Sequence, residues 1–349
     1  IRLAIQDPKD AGRISGQIYA ISTMGSLLGT FLPTLLLIPE IGTFRTFVAF
    51  SGVLFFIAVI GLWLYEGPQA AARWLWMPVV IVLLSIWALN GPLRPPEQDA
   101  IVLYDDESAY NYIQVQEDEN GYRYLYLNEG LGVHSIWHET DLQYDGTWDV
   151  FLAAPFFNDP PYQMTDVERV MVIGLAAGTI PRQYFHVYGN DLPIDGVEID
   201  PGIINAAAQY FDMNAEVMPN LNVYAEDGRY ILNQLDEQYS IIAIDAYRPP
   251  YIPWHLTTVE FFQEVHDHLL PNGVVAINVG RTNDDRRLVD AMTRTLSAVY
   301  PTIHAIDVPR SFNTILVATM EPTVSVNLMN NLNSLDSEAP TMLRDIMQL

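Results

Sequence analysis

The chain has 349 residues, half of them apolar, a formal net charge of −25 and no cysteine. The absence of thiols excludes disulfides, thiolate nucleophiles and cysteine-type zinc sites, and so acidic a chain repels phosphate backbones, which excludes nucleic acid as a partner. Apolar residues gather before residue 95 and acid after it: residues 1–95 carry six Lys/Arg against four Asp/Glu.

The first elements are greasy. Ile18–Ile38 holds 21 residues without a charge, Phe44–Leu64 has only Arg45, and Trp74–Asn90 has 17 uncharged residues. A helix needs roughly 20 apolar residues to cross a bilayer core, so three transmembrane helices are expected within 1–95, with the lipid bilayer as a partner. Trp63, Tyr65, Trp74 and Trp76 stand at span ends, where aromatic belts form. Gly25, Ser26 and Gly29 share one face and predict close helix packing. With three crossings, Arg2, Lys9, Arg13 and Arg73 lie on one side, and the positive-inside rule then puts the acidic body outside. If Trp74–Asn90 does not cross, the body moves to the other side.

Gly91-Pro92-Leu93-Arg94-Pro95-Pro96 reads as a linker. Beyond it, Ile101–Tyr104, Tyr110–Gln116, Tyr122–Leu127 and His134–Trp137 read as short strands, with Asn120-Gly121 as a hairpin turn. The four predict a small β unit. The spacings of His134 with His138 and of His266 with His268 lack further ligands nearby, so no metal site is assigned.

From Val170 apolar strands alternate with helical segments. Val170–Gly174, Asp195–Asp200, Leu221–Ala225, Ser240–Asp245 and Val274–Val279 are strands, and Thr302–Val308 with Asn313–Thr319 form an antiparallel pair. Thr179–Val187, Pro201–Phe211, Thr257–Leu269 and Asp284–Tyr300 are helices. The alternation predicts an α/β fold with a largely parallel sheet covered on both faces. The expected domains are a membrane segment (1–95), a linker with the small β unit (96–160), a Rossmann-like domain (161–320) and a peripheral, Asn-rich tail (321–349).

Ligands of such sheets bind beyond the carboxyl ends of the strands. The first strand ends in Gly174-Leu-Ala-Ala-Gly178, where glycines let backbone approach a ligand. The second ends in Gly196-Val-Glu198-Ile-Asp200, with Glu198 24 residues after Gly174, close to the spacing of an acid that accepts from a ribose diol. The third gives Glu226-Asp227-Gly228 and the fourth Asp245-Ala-Tyr247-Arg248. No Lys-Ser/Thr follows the glycine turn, and the full dinucleotide fingerprint is missing. A nucleoside without phosphates, such as S-adenosylmethionine or its decarboxylated form, fits best.

The stretches "ESAYNYIQV", "LYLNEGLGVHS", "VMVIGLAAGT", "DGVEIDP", "EDGRYIL", "IIAIDAYRPPYIPWHLTTVEFF" and "LLPNGVVAINVG" resemble the spermidine synthase (polyamine aminopropyltransferase) family, and "GRISGQIYAISTMGSLLG" resembles the membrane segment of its bacterial membrane-fused members. The resemblance implies a methyltransferase-like Rossmann domain with a small N-terminal β unit, in an integral protein of the bacterial inner membrane. It implies transfer of an aminopropyl group from decarboxylated S-adenosylmethionine to a diamine such as putrescine. Glu198 would hold the ribose and Asp227, followed by Gly228, the adenine amino group. Gly174 and Gly178 would flank the methionine-derived tail, Trp148 and Asp149 would meet the amine substrate, and Asp245, Tyr247 and Arg248 would occupy the catalytic strand end.

The chain departs from that pattern where the diamine is handled. The family turn G-G-G-D-G-G has Ala177 in place of its Asp, and the second Asp of D-S-S-D-P is replaced by Arg248. A guanidinium stays protonated and cannot act as the base. Facing an ammonium about 4 Å away at an effective dielectric near 20, it repels by roughly 4 kcal/mol. Three readings follow: intact S-adenosylmethionine is the donor, the acceptor is neutral or anionic, or the domain is a catalytically silent subunit of a membrane complex or homo-oligomer.

Overall fold

The computed structural model describes residues 7–89, 92, 94–247 and 252–348. The chain divides into two units, Ile1–Pro95 with Glu107–Tyr112, and Pro96–Asp106 with Ile113–Leu349.

In the first unit, α1 (Ala11–Leu32) continues through a π-helical turn at Pro33–Leu37 into Ile38–Ile41. Next come α2 (Thr43–Glu66), a short turn of helix at Pro68–Ala72, and α3 (Trp76–Leu89). Gly42 and Gly67 have φ of 81° and 93°, the left-handed conformation that ends a helix without a Cβ penalty. Three stretches, Ala11–Ile41, Thr43–Glu66 and Pro68–Ile86, are long and apolar enough to cross a membrane. The first outruns its predicted span at both ends, and the third starts earlier because Pro68 sits at the first helical position. Its predicted end, Asn90, lies outside the described residues. Leu27, Phe56 and Leu83 are exposed, as lipid-facing side chains would be. Among the described residues, no atom from outside the local helix backbone lies within 4 Å of where a Cβ of Gly25 or Gly29 would stand, so the expected close packing is not seen within this chain.

The second unit opens with a four-stranded sheet in the order β1-β2-β3-β4: β1 (Ile101–Glu107), β2 (Tyr112–Glu117), β3 (Arg123–Leu127) and β4 (Val133–Trp137). Gly121, at φ 86°, turns the β2–β3 hairpin. Then comes a buried helix that the sequence pattern did not reveal, α4 (Thr147–Ala153).

The larger sheet holds β5 (Val170–Ile173), β6 (Ile194–Val197), β7 (Leu221–Tyr224), β8 (Tyr239–Ile244), β9 (Leu269–Gly280), β10 (Thr302–Asp307) and β11 (Asn313–Thr319) in the order β10-β11-β9-β8-β5-β6-β7. β5 to β9 pair in parallel, whereas β11 pairs antiparallel with both β9 and β10. The connecting helices are α5 (Thr179–Tyr188), α6 (Pro201–Tyr210), α7 (Gly228–Leu232), α8 (Val259–Asp267) and α9 (Arg287–Leu296). β5 and β8 are buried throughout, which is why they read as unbroken apolar runs. The chain leaves β5 for β6 on one side and returns to β8 on the other, so the switch point of this methyltransferase-like Rossmann sheet lies between β5 and β8.

The tail is not peripheral, contrary to the sequence expectation. It forms α10 (Val326–Ser334) and α11 (Thr341–Ile346), and Leu332, Met342, Leu343 and Ile346 join the main core. Asn331 is fully buried: its amide donates to the Phe156 and Asn158 carbonyls and its oxygen accepts from the Tyr162 amide. Two of the asparagines that looked solvated, Asn327 and Asn331, satisfy buried backbone instead.

Candidate nucleoside site at the switch point

The turn after β5 is shaped by close approach. Gly174 has φ 88°, and a Cβ there would stand 2.5 Å from the Ala246 amide nitrogen and 2.6 Å from the Asp245 carbonyl carbon. Only glycine lets the first strand end pass this near the fourth. Gly178, at φ 83°, precedes α5, and Met213 Sδ would lie 3.0 Å from a Cβ there. Gly228 likewise admits a side chain, Ile173, so this glycine serves packing.

The amides of the turn are already engaged. Ala176 N–H donates to Glu198 Oε2 at 2.9 Å, Ala177 N–H to Ser135 Oγ at 2.9 Å, and Gly178 N–H to the Leu175 carbonyl at 3.0 Å. Thr179 ties the same corner to β4, its Oγ1 accepting from the Ile136 amide and donating to the Ile136 carbonyl. A turn so occupied presents small side chains rather than a nest for anions. That suits a sulfonium nucleoside and not a polyphosphate.

Glu198, buried at the end of β6, accepts from Ala176 N–H through one oxygen and from Asp200 N–H at 3.1 Å through the other. Burial outweighs these bonds and pushes its carboxyl up to about 7. Asp227 caps α7, with Oδ1 accepting from Tyr230 N–H at 3.0 Å, while Oδ2 lies 2.8 Å from His255 Nε2. Its carboxylate therefore already has two protein partners.

A cavity of about 1380 Å³ opens at the carboxyl ends of β5, β8 and β9. Of the predicted residues, Trp148, Asp245 and Tyr247 line it, together with Ala176 of the glycine turn. Gly174, Gly178, Glu198, Asp227 and Gly228 do not. Asp149 does not line it either: fully buried, it accepts from Gln183 Nε2 at 2.5 Å and from Tyr144 N–H, and burial raises its carboxyl. Its place on α4 one residue after Trp148 turns it away from the position predicted for it. Arg248 lies outside the described residues.

Asp245 is held from two sides: Trp148 Nε1 donates to Oδ2 at 3.1 Å and Asn278 Nδ2 to Oδ1 at 2.8 Å. Asn313 Nδ2 donates in turn to Asn278 Oδ1 at 2.8 Å, and Ser311 Oγ to Asn313 Oδ1 at 2.7 Å. Burial raises the Asp245 carboxyl to about 6 despite both donors. The relay links α4, β8, β9 and β11. Asn278 and Asn313 were missed because an amide within an apolar strand carries no local signal; the polar residue breaking "VVAINVG" was the one clue. His134 also lines the cavity, and burial lowers its imidazole to about 4, so it is neutral there. His138 accepts backbone N–H of Thr140 and Asp141, and His268 meets the Glu264 and Leu235 carbonyls.

Residues 159–328 match the spermine/spermidine synthase domain. The chain is 32% identical over 218 residues to a probable polyamine aminopropyl transferase of Bifidobacterium longum, covering 62% of this chain and 46% of that protein. It is 33% identical over 140 residues to an N-terminal histidine N-methyltransferase of Emericella nidulans, covering 38% of this chain and 24% of that protein. The chain thus spans less than half the length of either relative. The crystal structure of a probable spermidine synthase from Corynebacterium glutamicum superposes with a TM-score of 0.55 at 18% identity, over 72% of this chain and 94% of that one. On these matches the chain is similar to spermidine synthases over the matched residues and shares their fold.

Proposed function

We propose that this protein is a membrane-tethered transferase that binds an S-adenosylmethionine-type nucleoside at the β5–β8 switch point and alkylates an acceptor. The observation that carries the reading is the doubly anchored, half-buried Asp245 lining a large cavity beside the small-residue turn. Bound there, the nucleoside's sulfonium would supply an activated carbon, aminopropyl or methyl.

Glu198 would accept from the ribose hydroxyls once deprotonated, and Asp227 from the adenine amino group. Ala176 would give the nucleoside van der Waals contact, and Ala177, which stands where the family pattern has its Asp, brings no acid to an amine. An acceptor amine must lose a proton as its nitrogen forms the new carbon bond and the carbon–sulfur electron pair returns to sulfur. Asp245, raised to about 6, is deprotonated at neutral pH, and its pairing with Trp148 and Asn278 fixes the carboxylate that takes this proton. Tyr247 lines the same wall. The three apolar stretches would anchor the protein in the bilayer, and the charge rule would put the acidic unit outside.

The reading is tested by calorimetric titration of the detergent-solubilised chain with decarboxylated and intact S-adenosylmethionine, followed by product analysis with putrescine. Binding of either donor is expected. No binding of either would defeat it, while binding without transfer to any amine would favour the catalytically silent membrane subunit.

A further inference from the structure

Arg281 follows β9 and lines the cavity, with only 12% of its side chain exposed. Its buried Nε makes no hydrogen bond. It forms an ion pair with Asp307 Oδ1 at 3.4 Å, and Asp307 is shared with closer partners: Arg286 Nη1 donates to it at 2.7 and 3.0 Å and Thr314 Oγ1 at 2.6 Å. The other charged residues described in the lining have closer ties or face solvent. Asp285 is clasped by Arg287, Asp245 by Trp148 and Asn278, Arg310 is exposed near Asp145, and Asp284 is exposed. A buried guanidinium N–H with an ion pair but no hydrogen bond is left short of a partner that an anionic ligand would give the group.

We propose that Arg281 recognises an anionic group, a carboxylate or phosphate, on the acceptor. The proposal rests on the nucleoside reading for the side of the sheet it uses. Glu198 and Asp227 follow β6 and β7, on one side of β5; Arg281 follows β9, two strands to the other side. The nucleoside end and Arg281 are therefore at opposite ends of the strand series, with Asp245 between them. The lining described here holds three arginines and three aspartates in a chain of net charge −25. This balance disfavours a polycation and suits an acceptor with an acidic group.

The test titrates the full chain in detergent with succinate and with putrescine, four-carbon chains of opposite charge, using wild type, Arg281→Met and Arg281→Lys. Succinate is expected to bind wild type and to weaken about ten- to hundredfold in Arg281→Met, as loss of a charge-assisted hydrogen bond implies. Arg281→Lys, which keeps the charge, should recover part of the affinity and serves alone if the Met variant fails to fold. No succinate binding to wild type, affinity unchanged in the variants, or putrescine binding wild type more tightly than succinate would each overturn the assignment. So would an Arg281→Met chain that loses a preference for intact over decarboxylated S-adenosylmethionine, since the anion would then be the donor's carboxylate. Nucleoside binding without succinate binding sinks this assignment alone; succinate binding without nucleoside binding sinks the nucleoside reading and leaves the anion site.

Discussion

Trp148 on α4 donates through Nε1 to Asp245 at the end of β8, across 97 residues of sequence. The bond makes the wall of the cavity and the candidate base one rigid piece. Trp148→Phe keeps the ring and removes the donor. Hydrogen bonds to charged groups contribute about 1.5–3 kcal/mol, so we expect a destabilisation of that order in chemical unfolding. The Asp245 carboxyl should also titrate above about 6, because one of the two donors lowering it is gone.

Glu198 sets a pH dependence of two kinds. Its folded carboxyl, near 7, lies above the ordinary carboxyl range, so between about 4.5 and 7 the folded state holds more protons than the unfolded one. Stability from this group is therefore greatest at low pH and falls as pH rises through that window. Ligand binding runs the other way, because only the deprotonated acid accepts from both ribose hydroxyls. Nucleoside affinity should rise between pH 6 and 8, and Glu198→Gln should flatten both profiles in titrations followed by calorimetry and thermal unfolding.

Gly174→Ala tests the close approach of β5 to β8. The new Cβ would meet Ala246 and Asp245 backbone at 2.5–2.7 Å in a left-handed conformation. Left-handed strain alone is about 1–2 kcal/mol, and the backbone clash adds to it. A loss of at least about 2 kcal/mol in denaturant unfolding is expected, with weaker nucleoside binding as Asp245 is displaced.

Asn331→Leu tests the tail. It removes two donors and the acceptor of the Tyr162 amide, leaving buried backbone groups unpaired. Each such group costs about 1–3 kcal/mol. The variant should lose several-fold in soluble yield and unfold at markedly lower denaturant. Retained stability would mean that α10 does not hold the 156–162 segment.

These residues also mark what the sequence made legible. The sheet was readable because β5 and β8 are buried throughout and β9 from Gly273 to Val279, so that they spell largely apolar runs, and the strand ends followed from that. Asp245 and Tyr247 were found at the cavity for this reason. Glu198 was singled out by its spacing, and it lies behind Ala176 rather than on the lining. The Asn278–Asn313 link depends on the antiparallel register of β9 and β11, which no local pattern encodes. α10 was misread because two of its asparagines, Asn327 and Asn331, bond backbone carbonyls from a distant segment, and amide side chains look the same in either setting. Asp149 shared the motif of Trp148 but points into the core, since neighbours on a helix face different ways.

The account stands or falls on where the nucleoside sits. A crystal structure of the chain with 5′-methylthioadenosine measures this directly. We expect the ribose hydroxyls within hydrogen-bonding distance of Glu198 and the sulfur in the cavity beside Asp245 and Ala176. A nucleoside bound elsewhere, with Glu198 still closed onto the Ala176 and Asp200 amides alone, would contradict it.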